Sequence, residues 1–516
     1  MDRFQIVRFG RAAASLRRGF VPRFEKPENT VVLMCGGWLR AACWLRGGVA
    51  LALGVVVHLG GSGCSTLKEA QADFRQGDLA AAEEGLKELA DREGMTQADS
   101  VIVHLEYGSV LHHTGRLEKS TQVFERVEAR LAEIDRAAEL RVSDEAAGLL
   151  LNPRERRYIG TPYDRVMAPF YRGLNAMLLG DLETPRQAFV AMAQAQRDAL
   201  NQRAKQIEDA ERQADREQPA YARSASVPKA SGRWDVRRSM NSPQATRAFE
   251  SRYGELQRYE PYAEFAVPVA DLLRAIYLLG ARRDAGDADL ARTNLRKLAQ
   301  ALPNNAFVRD DFALAEEAVR GEAVDGWTYV LFATGVAPSR ETFRLDLPLF
   351  TLNDEVDYVG VAFPYLAFHG DFIPHLRVFG DAAAVRTALV TDFDRIVSAD
   401  FNAELPNIIS RALLSSATKT AAAWAINEGS GRQDFVRILT AAYQVWQNQA
   451  DDRTWATLPK QFQYARLPTP ASGVVRLTAR DGLDIAVEVE SDGVNLIYVR
   501  SVRPGVPPIV YHVVLQ

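Results

Sequence analysis

Small, turn-forming and large apolar residues recur in one frame along the first half of the chain. Four glycines predicted to lie in short turns set this frame, namely Gly77, Gly115, Gly180 and Gly286. Nine positions after each glycine comes a large apolar residue, namely Leu86, Phe124, Phe189 or Leu295. Seven positions before the first three comes a small residue, namely Ala70, Gly108 or Gly173. The frame predicts antiparallel helix pairs, because the small residue lets two backbones approach while the large one fills the seam.

This frame matches the tetratricopeptide repeat, most fully in its last copy. The residues in register there are Gly286, Asp287, Ala291 and the closing Leu302, Pro303, Asn304 and Asn305. The third copy departs from the frame at Pro185, although proline is tolerated in the first turn of a helix. One helix pair cannot bury its apolar face alone, and the copies are unevenly spaced. We therefore predict an interrupted helical-repeat domain over residues 64–320.

The sequence becomes polar and charged between Gln194 and Tyr259, and residues 224–243 have neither a helical nor a strand period. We predict an extended helix followed by a mobile insertion near 214–245. The basic and aromatic residues of this insertion, such as Trp234, are compatible with a contact patch, but a solvated loop is the favoured interpretation.

After Gly321 the pattern changes to short β-rich runs separated by proline and glycine. The early runs cover 327–333, 342–347 and 356–362, helical stretches follow at 393–426 and 435–447, and the late runs cover 474–478, 483–489, 494–499 and 509–514. Turns are predicted at 480–482 and 491–493. The predicted fold class is α+β: N-terminal tetratricopeptide-like α-helical repeats, a mixed α/β domain over 321–455, and a β-rich segment over 456–516 that ends in antiparallel strands.

The N-terminal region has the charged, apolar and small-residue order of a secretory signal. Basic residues up to Arg46 precede the apolar run 49–59, and the small residues 60–63 lead into Cys64. This run is too short to span a bilayer, which takes about 20 apolar residues in a helix. The segment resembles a bacterial lipoprotein signal, whose last positions before cleavage read Leu, small, small and Cys, although Gly61 stands where Leu is usual.

The distribution of cysteines supports lipid attachment at Cys64. The three cysteines are Cys35, Cys43 and Cys64, so cleavage before the last of them leaves a single sulfur. A single unpaired cysteine is unusual in an exported protein unless it is chemically occupied. We predict that residues 1–63 are a signal region, with a true start at Met34 favoured over a basic cytoplasmic extension, and that Cys64 carries lipid. An ordinary signal peptide with an incidental cysteine is the alternative.

Charge and motifs exclude several classes of partner. The chain has 62 basic and 66 acidic residues, which gives a formal net charge of −4 and no long-range field that attracts a polyanion. The sequence has no G-x-G-x-x-G or G-x-x-x-x-G-K-[ST] phosphate loop. We predict no nucleic-acid partner and no cofactor.

One pair of residues fits a catalytic pattern. Ser416 and Lys419 form the S-x-x-K spacing of penicillin-binding enzymes, in which the lysine lies one helical turn from the nucleophile and takes its proton. The later S-x-N and K-T-G elements of that class are missing, and a two-residue pattern arises by chance about once in a chain of this size. We therefore predict that this pair lies on a helix surface and has no catalytic role.

Two further polar clusters favour structural interpretations. The first consists of His104, His112 and His113. These histidines lack the i, i+4 spacing with a glutamate that the helix of a zinc hydrolase needs. Their positions fit the faces of repeat helices, and no metal site is predicted. The second consists of Asp451, Asp452, Arg453 and Trp455. Its two carboxylates are suited to acid–base chemistry, but they lie beside the cation Arg453. We predict an ion-paired corner at the start of a strand.

Three motifs carry a resemblance that spans most of the mature chain. They are Tyr158-Ile159-Gly160-Thr161-Pro162-Tyr163-Asp164 leading into Tyr171-Arg172-Gly173-Leu174-Asn175, Leu405-Pro406 with Arg411 and Lys419, and Ala450-Asp451-Asp452-Arg453-Thr454-Trp455 before Leu458-Pro459. With them the chain resembles a family of uncharacterised outer-membrane lipoproteins of proteobacteria that have tetratricopeptide-like repeats. The resemblance implies an envelope role by association, and Ser65 after Cys64 implies sorting to the outer membrane.

Two functions of different classes follow from these observations. The favoured one is a non-enzymatic scaffold, held by lipid at the periplasmic face of the outer membrane, whose repeats bind a partner protein along their concave face. The alternative is an envelope hydrolase or transferase with a site after Gly321, which uses Ser416 and Lys419 or the Asp451 cluster.

Overall fold

The computed structural model is an α+β protein in which helices come first and strands follow, which confirms the predicted fold class. It describes residues 62–94, 97–140, 157–214, 239–262, 266–282, 284–350, 356–381, 384–406, 408–409, 412 and 451–515. The signal region before Ser62, residues 215–238 of the predicted insertion, and the helical stretch 435–447 lie outside this part. Among the described residues, no helix has the length and apolar character required to cross a membrane.

The repeat region is a succession of helices that pack pairwise. In chain order they are α1 (Ser62–Gln76), α2 (Leu79–Glu93), α3 (Ser100–His113), α4 (Leu117–Leu140), α5 (Pro162–Leu178), α6 (Pro185–Ala214), α7 (Pro243–Tyr253), α8 (Pro268–Gly280), α9 (Ala285–Ala301) and α10 (Ala306–Val319). Gly77, Gly115 and Gly180 lie in the turns with φ of 90°, 77° and 76°, a left-handed conformation that favours glycine. The predicted turns at these three glycines are confirmed.

Polar side chains at the helix N-termini explain where several helices begin. Asp78 accepts a hydrogen bond from Ala81 N before α2. Thr161 and Asp164 form a capping box at the start of α5, in which each side chain accepts from the backbone N–H of the other residue. Pro185 is the first residue of α6, which confirms that the sequence tolerates it there, and α6 is the predicted extended helix.

The seams between paired helices have the predicted composition. A Cβ atom built on Gly108 would lie 2.8 Å from the ring of Phe124, and one built on Gly173 would lie 2.6 Å from the ring of Phe189. Phe124 is completely buried, and Phe189 is buried as well. The small residue and the large residue sixteen positions later are therefore direct packing partners across the seam.

The last copy of the repeat departs from the frame at its glycine. Gly286 is the second residue of α9, so the prediction that it lies in a turn is wrong. The helix begins earlier because the side chain of Asp284 accepts from Asp287 N at 3.0 Å and caps it. Pro303 does lie in the turn after α9, and Asn305 then caps α10.

The strands in the described part of the chain form three sheets. In chain order they are β1 (Trp327–Thr334), β2 (Ser339–Phe350), β3 (Val356–Ala367), β4 (Arg377–Phe379), β5 (Ala384–Arg386), β6 (Ala388–Asp392), β7 (Gln461–Pro468), β8 (Val474–Thr478), β9 (Asp484–Glu488), β10 (Asn495–Ser501) and β11 (Ile509–Val514). A five-stranded sheet has the order β11-β10-β1-β7-β6, a four-stranded sheet has the order β5-β4-β8-β9, and β2 pairs with β3 in a hairpin. Only the β1–β10 pair in the described sheets is parallel.

The five-stranded sheet is the middle layer of the molecule. Along β10 the side chains alternate, so that Leu496 and Tyr498 belong to the core shared with the helices, while Ile497 and Val499 pack toward the four-stranded sheet. A strand buried on both faces is apolar at successive positions, which is why β10 was recognisable in the sequence. The predicted segments 321–455 and 456–516 both contribute strands to this sheet.

The inner face of the repeats is covered by this sheet. All fourteen residues of α3 are buried, and the core that contains its apolar side chains also contains Tyr498 and Tyr511. The hydroxyl of Tyr511 donates to the carbonyl of His112 at 3.2 Å. A Cβ atom on Gly280, the last residue of α8, would lie 2.6 Å from Leu515. Along α3, the apolar surface of the helices is therefore covered by the chain's own strands.

The β2–β3 hairpin has its own small core. Residues 239–245 of the predicted insertion lie against it, since Ala245 is fully buried with Leu347 and Phe363. The prediction that the insertion extends to residue 245 is therefore wrong at this end, where Ser242 caps α7. A helix over 393–406 begins where the sequence predicts it, and residues 413–426 of the predicted stretch lie outside the described part of the chain.

The seam between α5 and α6 gives a test of this packing. We expect Gly173→Ala to lower the free energy of unfolding by about 1–3 kcal/mol, because the new methyl group overlaps Phe189 and forces the helices apart. Glycine to alanine inside a helix otherwise stabilises by about 1 kcal/mol, so the sign is diagnostic. Gly254→Ala is the matched control, since Gly254 has a helical φ of −58° and no atom within 4 Å of the new Cβ. Equal denaturant midpoints for the two variants would contradict the packing described.

Candidate functional site

The cluster from Asp451 to Trp455 lies at the junction between the repeats and the sheet. These residues form an irregular segment that precedes β7. Arg453 is 3% exposed, and its guanidinium carbon lies 5.5 Å from the centre of the Tyr158 ring, just before α5. We call residues 451–457 the junction segment.

Arg453 forms the centre of an ion-paired corner. Its Nε donates to Asp451 Oδ1 and its Nη2 donates to Asp451 Oδ2, each at 2.7 Å, which is a bidentate arrangement. Its Nη1 donates to Asp99 at 2.7 Å, at the N-terminus of α3. The predicted ion pairing is confirmed, and it joins the C-terminal half of the chain to a repeat helix. Its predicted position at the start of a strand is wrong, because β7 begins only at Gln461.

The two aspartates of this corner do not share a proton with each other. Burial alone would raise the pKa of Asp451, but the hydrogen bonds and charge of Arg453, with the charge of Arg340, hold it below the usual range. Asp452 lies 2.5 Å from the ammonium of Lys68 on α1. Each carboxylate therefore has its own cation, and Asp451 remains ionised at neutral pH and does not act as an acid there.

Glu106 on α3 is the residue that the sequence analysis missed. Its buried carboxylate accepts from Ala456 N at 2.6 Å, from Thr457 N at 3.1 Å and from Gln71 Nε2 at 2.6 Å, and also from the Thr457 hydroxyl. Burial raises its pKa to about 7, although these donors oppose the shift. A lone glutamate inside the apolar run of α3 was the available signal, because a buried carboxylate needs donors from elsewhere.

Trp455 connects the junction segment to the seams of the repeats. Its indole N–H donates to Ser109 Oγ on α3 at 2.8 Å. Its ring centre lies 5.8 Å from that of Phe124 and 5.9 Å from that of Tyr171. The aromatic residue of the cluster is therefore part of the same core as the packing residue Phe124.

A second buried contact joins the repeats to the sheet at α10. Asp311 accepts a hydrogen bond from the hydroxyl of Tyr464 at 2.5 Å, and its other oxygen lies 2.9 Å from Arg466 Nη1. Both partners belong to β7. Burial raises the pKa of Asp311 to about 6, and the charge of Arg466 opposes the shift.

The predicted histidine cluster lies on α3 and makes structural contacts. His112 Nδ1 lies 2.6 Å from Asn175 Oδ1 on α5, and its ring centre lies 5.3 Å from that of Tyr498. Burial lowers the pKa of His112 to about 4, so the ring is neutral. His104 and His113 each place Nδ1 near the backbone carbonyl four residues earlier. Among the described residues, no group of His, Cys, Asp and Glu has a geometry suited to a metal ion.

The remaining candidates are the anchor cysteine and the serine–lysine pair. Cys64 lies within the first turn of α1. Ser416 and Lys419 lie outside the described residues. Ser339 and His369, which the sequence did not single out, approach within 3.2 Å at the base of the β2–β3 hairpin. Burial and the charge of Arg75 lower the pKa of His369 to about 4, which makes it a weak base.

The sequence matches no protein-family model and no curated protein.

The Glu106 carboxylate gives a test of the junction. We expect Glu106→Gln to lower the free energy of unfolding by roughly 1–3 kcal/mol, because an amide N–H₂ then faces buried N–H donors. Glu88→Gln on the exposed side of α2 is the matched control and should behave like wild type. Folding raises the pKa of Glu106 from 4.5 to about 7, so the contribution of this side chain to stability declines as the pH rises between these values. The free energy of unfolding of Glu106→Gln should not show this decline. Denaturation curves that coincide for the two variants at every pH would contradict this role.

Proposed function

We propose that this chain is a lipoprotein scaffold of the bacterial envelope, held by lipid on Cys64 at the periplasmic face of the outer membrane. In this proposal the protein is not an enzyme, and it contributes to envelope assembly by binding a partner protein. The proposal agrees with the resemblance to outer-membrane lipoproteins that have tetratricopeptide-like repeats.

The anchor is supported by the signal and by the start of the fold. The charged, apolar and small-residue order of the signal ends at Cys64, and α1 includes this residue. The side chain of Leu67, three positions later, is already buried in the core of the repeats. Cys64 is therefore only three positions from a residue of the folded core.

The use of polar residues supports a non-enzymatic role, and this observation carries the proposal. Side chains with the chemistry of acids, bases or metal ligands make structural contacts here. Glu106 accepts from Ala456 N, His112 packs against Asn175 and Tyr498, and the partly buried Asp451 pairs with Arg453. The ionised state of Asp451 does not suit a general acid, and the low pKa of His112 does not suit a general base.

The outer face of the repeats is the surface that we assign to the partner. Val190 on α6 is 60% exposed and Leu290 on α9 is 45% exposed, and both are large apolar residues. Val190 lies about one helical turn after Arg186, and Leu290 lies about one turn after Asp287. Arg186 and Asp287 form an ion pair, in which Nη2 lies 2.7 Å from Oδ2. Because the inner face is filled along α3, binding through the repeats uses this outer surface.

The anchor is tested by the mass and the location of the mature protein. We expect the mature chain to begin at Cys64 and to carry acyl chains there, and we expect Cys64→Ser to be lost from the membrane fraction, because two or more acyl chains are needed for stable binding. Cys43→Ser is the matched control and should remain anchored, since Cys43 lies in the predicted signal region. An unmodified Cys64 in a membrane-bound chain would contradict the proposal.

The partner surface is tested by site-specific cross-linking in intact cells. A photoreactive residue at position 190 or 290 should give a covalent adduct with another envelope protein. The same residue at Val474, which is 40% exposed on β8, is the control and should not give that adduct. Adducts of the same size from all three positions, or from position 474 alone, would contradict the assignment of the outer face.

A further inference from the structure

The N-terminal ends of the helices α1, α3 and α5 lie at one end of the molecule. Side-chain contacts show that α1 and α3 lie side by side, since Gln71 Nε2 donates to Glu106 at 2.6 Å. The junction segment crosses both N-terminal halves, because Lys68 contacts Asp452 while Asp99 contacts Arg453.

The loop before α5 belongs to the same end. Tyr158 N donates to the carbonyl of Ala98 at 2.9 Å, which places this loop beside the start of α3. We call the start of α1 together with residues 97–99 and 157–161 the anchor end.

The connection between Cys64 and the folded core is very short. Cys64 lies within α1, and Leu67 is 7% exposed in the core. In a helix this separation is a rise of about 5 Å, and even a fully extended chain would span only about 10 Å. Lipid attached at Cys64 would therefore hold the anchor end at the bilayer surface without a flexible linker.

The anchor end presents an exposed apolar residue on a fixed loop. Ile159 is 57% exposed, and Arg157, two positions earlier, is exposed as well. The loop is held by Tyr158, whose hydroxyl donates to Asp164 at 2.5 Å, and by Gly160, whose φ of 73° favours glycine. The residues that fix this loop belong to the first of the three motifs described above.

We infer that the anchor end is a membrane-contacting surface that rests on phospholipid, with Ile159 in the interfacial region and Arg157 near the phosphates. The inference rests on the proposed lipid at Cys64. An exposed isoleucine close to an arginine suits the boundary between acyl chains and headgroups. The isoleucine side chain favours the acyl region, and the guanidinium binds phosphate. The molecule is then fixed in orientation, with the repeats standing on their N-terminal ends.

Environment-sensitive fluorescence of the lipidated full-length protein tests this orientation. In the proposed mature chain Cys64 is acylated and no other cysteine remains, so Ile159→Cys introduces a single thiol for a fluorescent NBD probe. Val474→Cys on β8 is the matched control at another exposed apolar position. Both proteins are reconstituted in vesicles of phosphatidylethanolamine and phosphatidylglycerol that contain a nitroxide-labelled lipid.

We expect the probe at 159 to be quenched several-fold more than the probe at 474 and to emit at shorter wavelength. Equal quenching in protein that floats with the vesicles would overturn the inference while leaving the lipid anchor intact. Protein that does not float and carries no acyl chain would instead overturn the proposed function. A flexible insertion of about ten Gly and Ser residues after Ser65, with an end-to-end distance of about 17 Å, should reduce quenching at 159 toward the control. Unchanged quenching would contradict the role of the short connection.

Discussion

Helix α3 is buried on every side, and the rest of the structure follows from this constraint. A helix without a solvated face needs neighbours all round, and its own repeat supplies only part of them. The other neighbouring helices, the sheet strand β10 and the junction segment supply the remainder. The carboxylate of Glu106 then makes the arrangement specific, because a buried charge without donors is costly and its backbone donors come from Ala456 and Thr457.

The consequence is an unusual use of helical repeats. Repeat arrays normally cover their apolar face with the next repeat and leave a concave surface for a ligand. Here a five-stranded sheet covers that face along α3, so the helices act as one layer of a three-layer protein. Any recognition by the repeats therefore depends on their outer face or their ends. The ion-paired corner around Arg453 and the contact of Asp311 with β7 join the layers at separate places.

Local patterns in the sequence predicted much of the fold. The strands β8 and β11 have the predicted bounds, and the pairing of Gly108 with Phe124 follows from close packing that any such seam requires. Strand β7 was missed because it is central yet contains Gln463 and Arg466, whose polar groups contact partners that are distant in sequence. Glu106 was missed for the same reason.

The position of the repeats relative to the sheet could not be predicted from local patterns. The contact between Trp455 and Ser109 joins residues 346 positions apart, and neither residue type identifies the other. At Gly286 the repeat frame was misleading. It predicted a turn there, but the side chain of Asp284 caps a helix that begins before Gly286. Long-range burial thus determines both the junction and the coverage of α3 by the sheet.

Hydrogen exchange of the full-length protein in a denaturant series measures most directly whether the two halves fold as one unit. The buried contacts between α3 and β10 predict that amides of both elements become exchangeable in the same cooperative transition, at the same denaturant concentration. If the amides of α3 exchange at a lower concentration while those of β10 remain protected, the repeats open independently of the sheet and the account of a shared core is wrong.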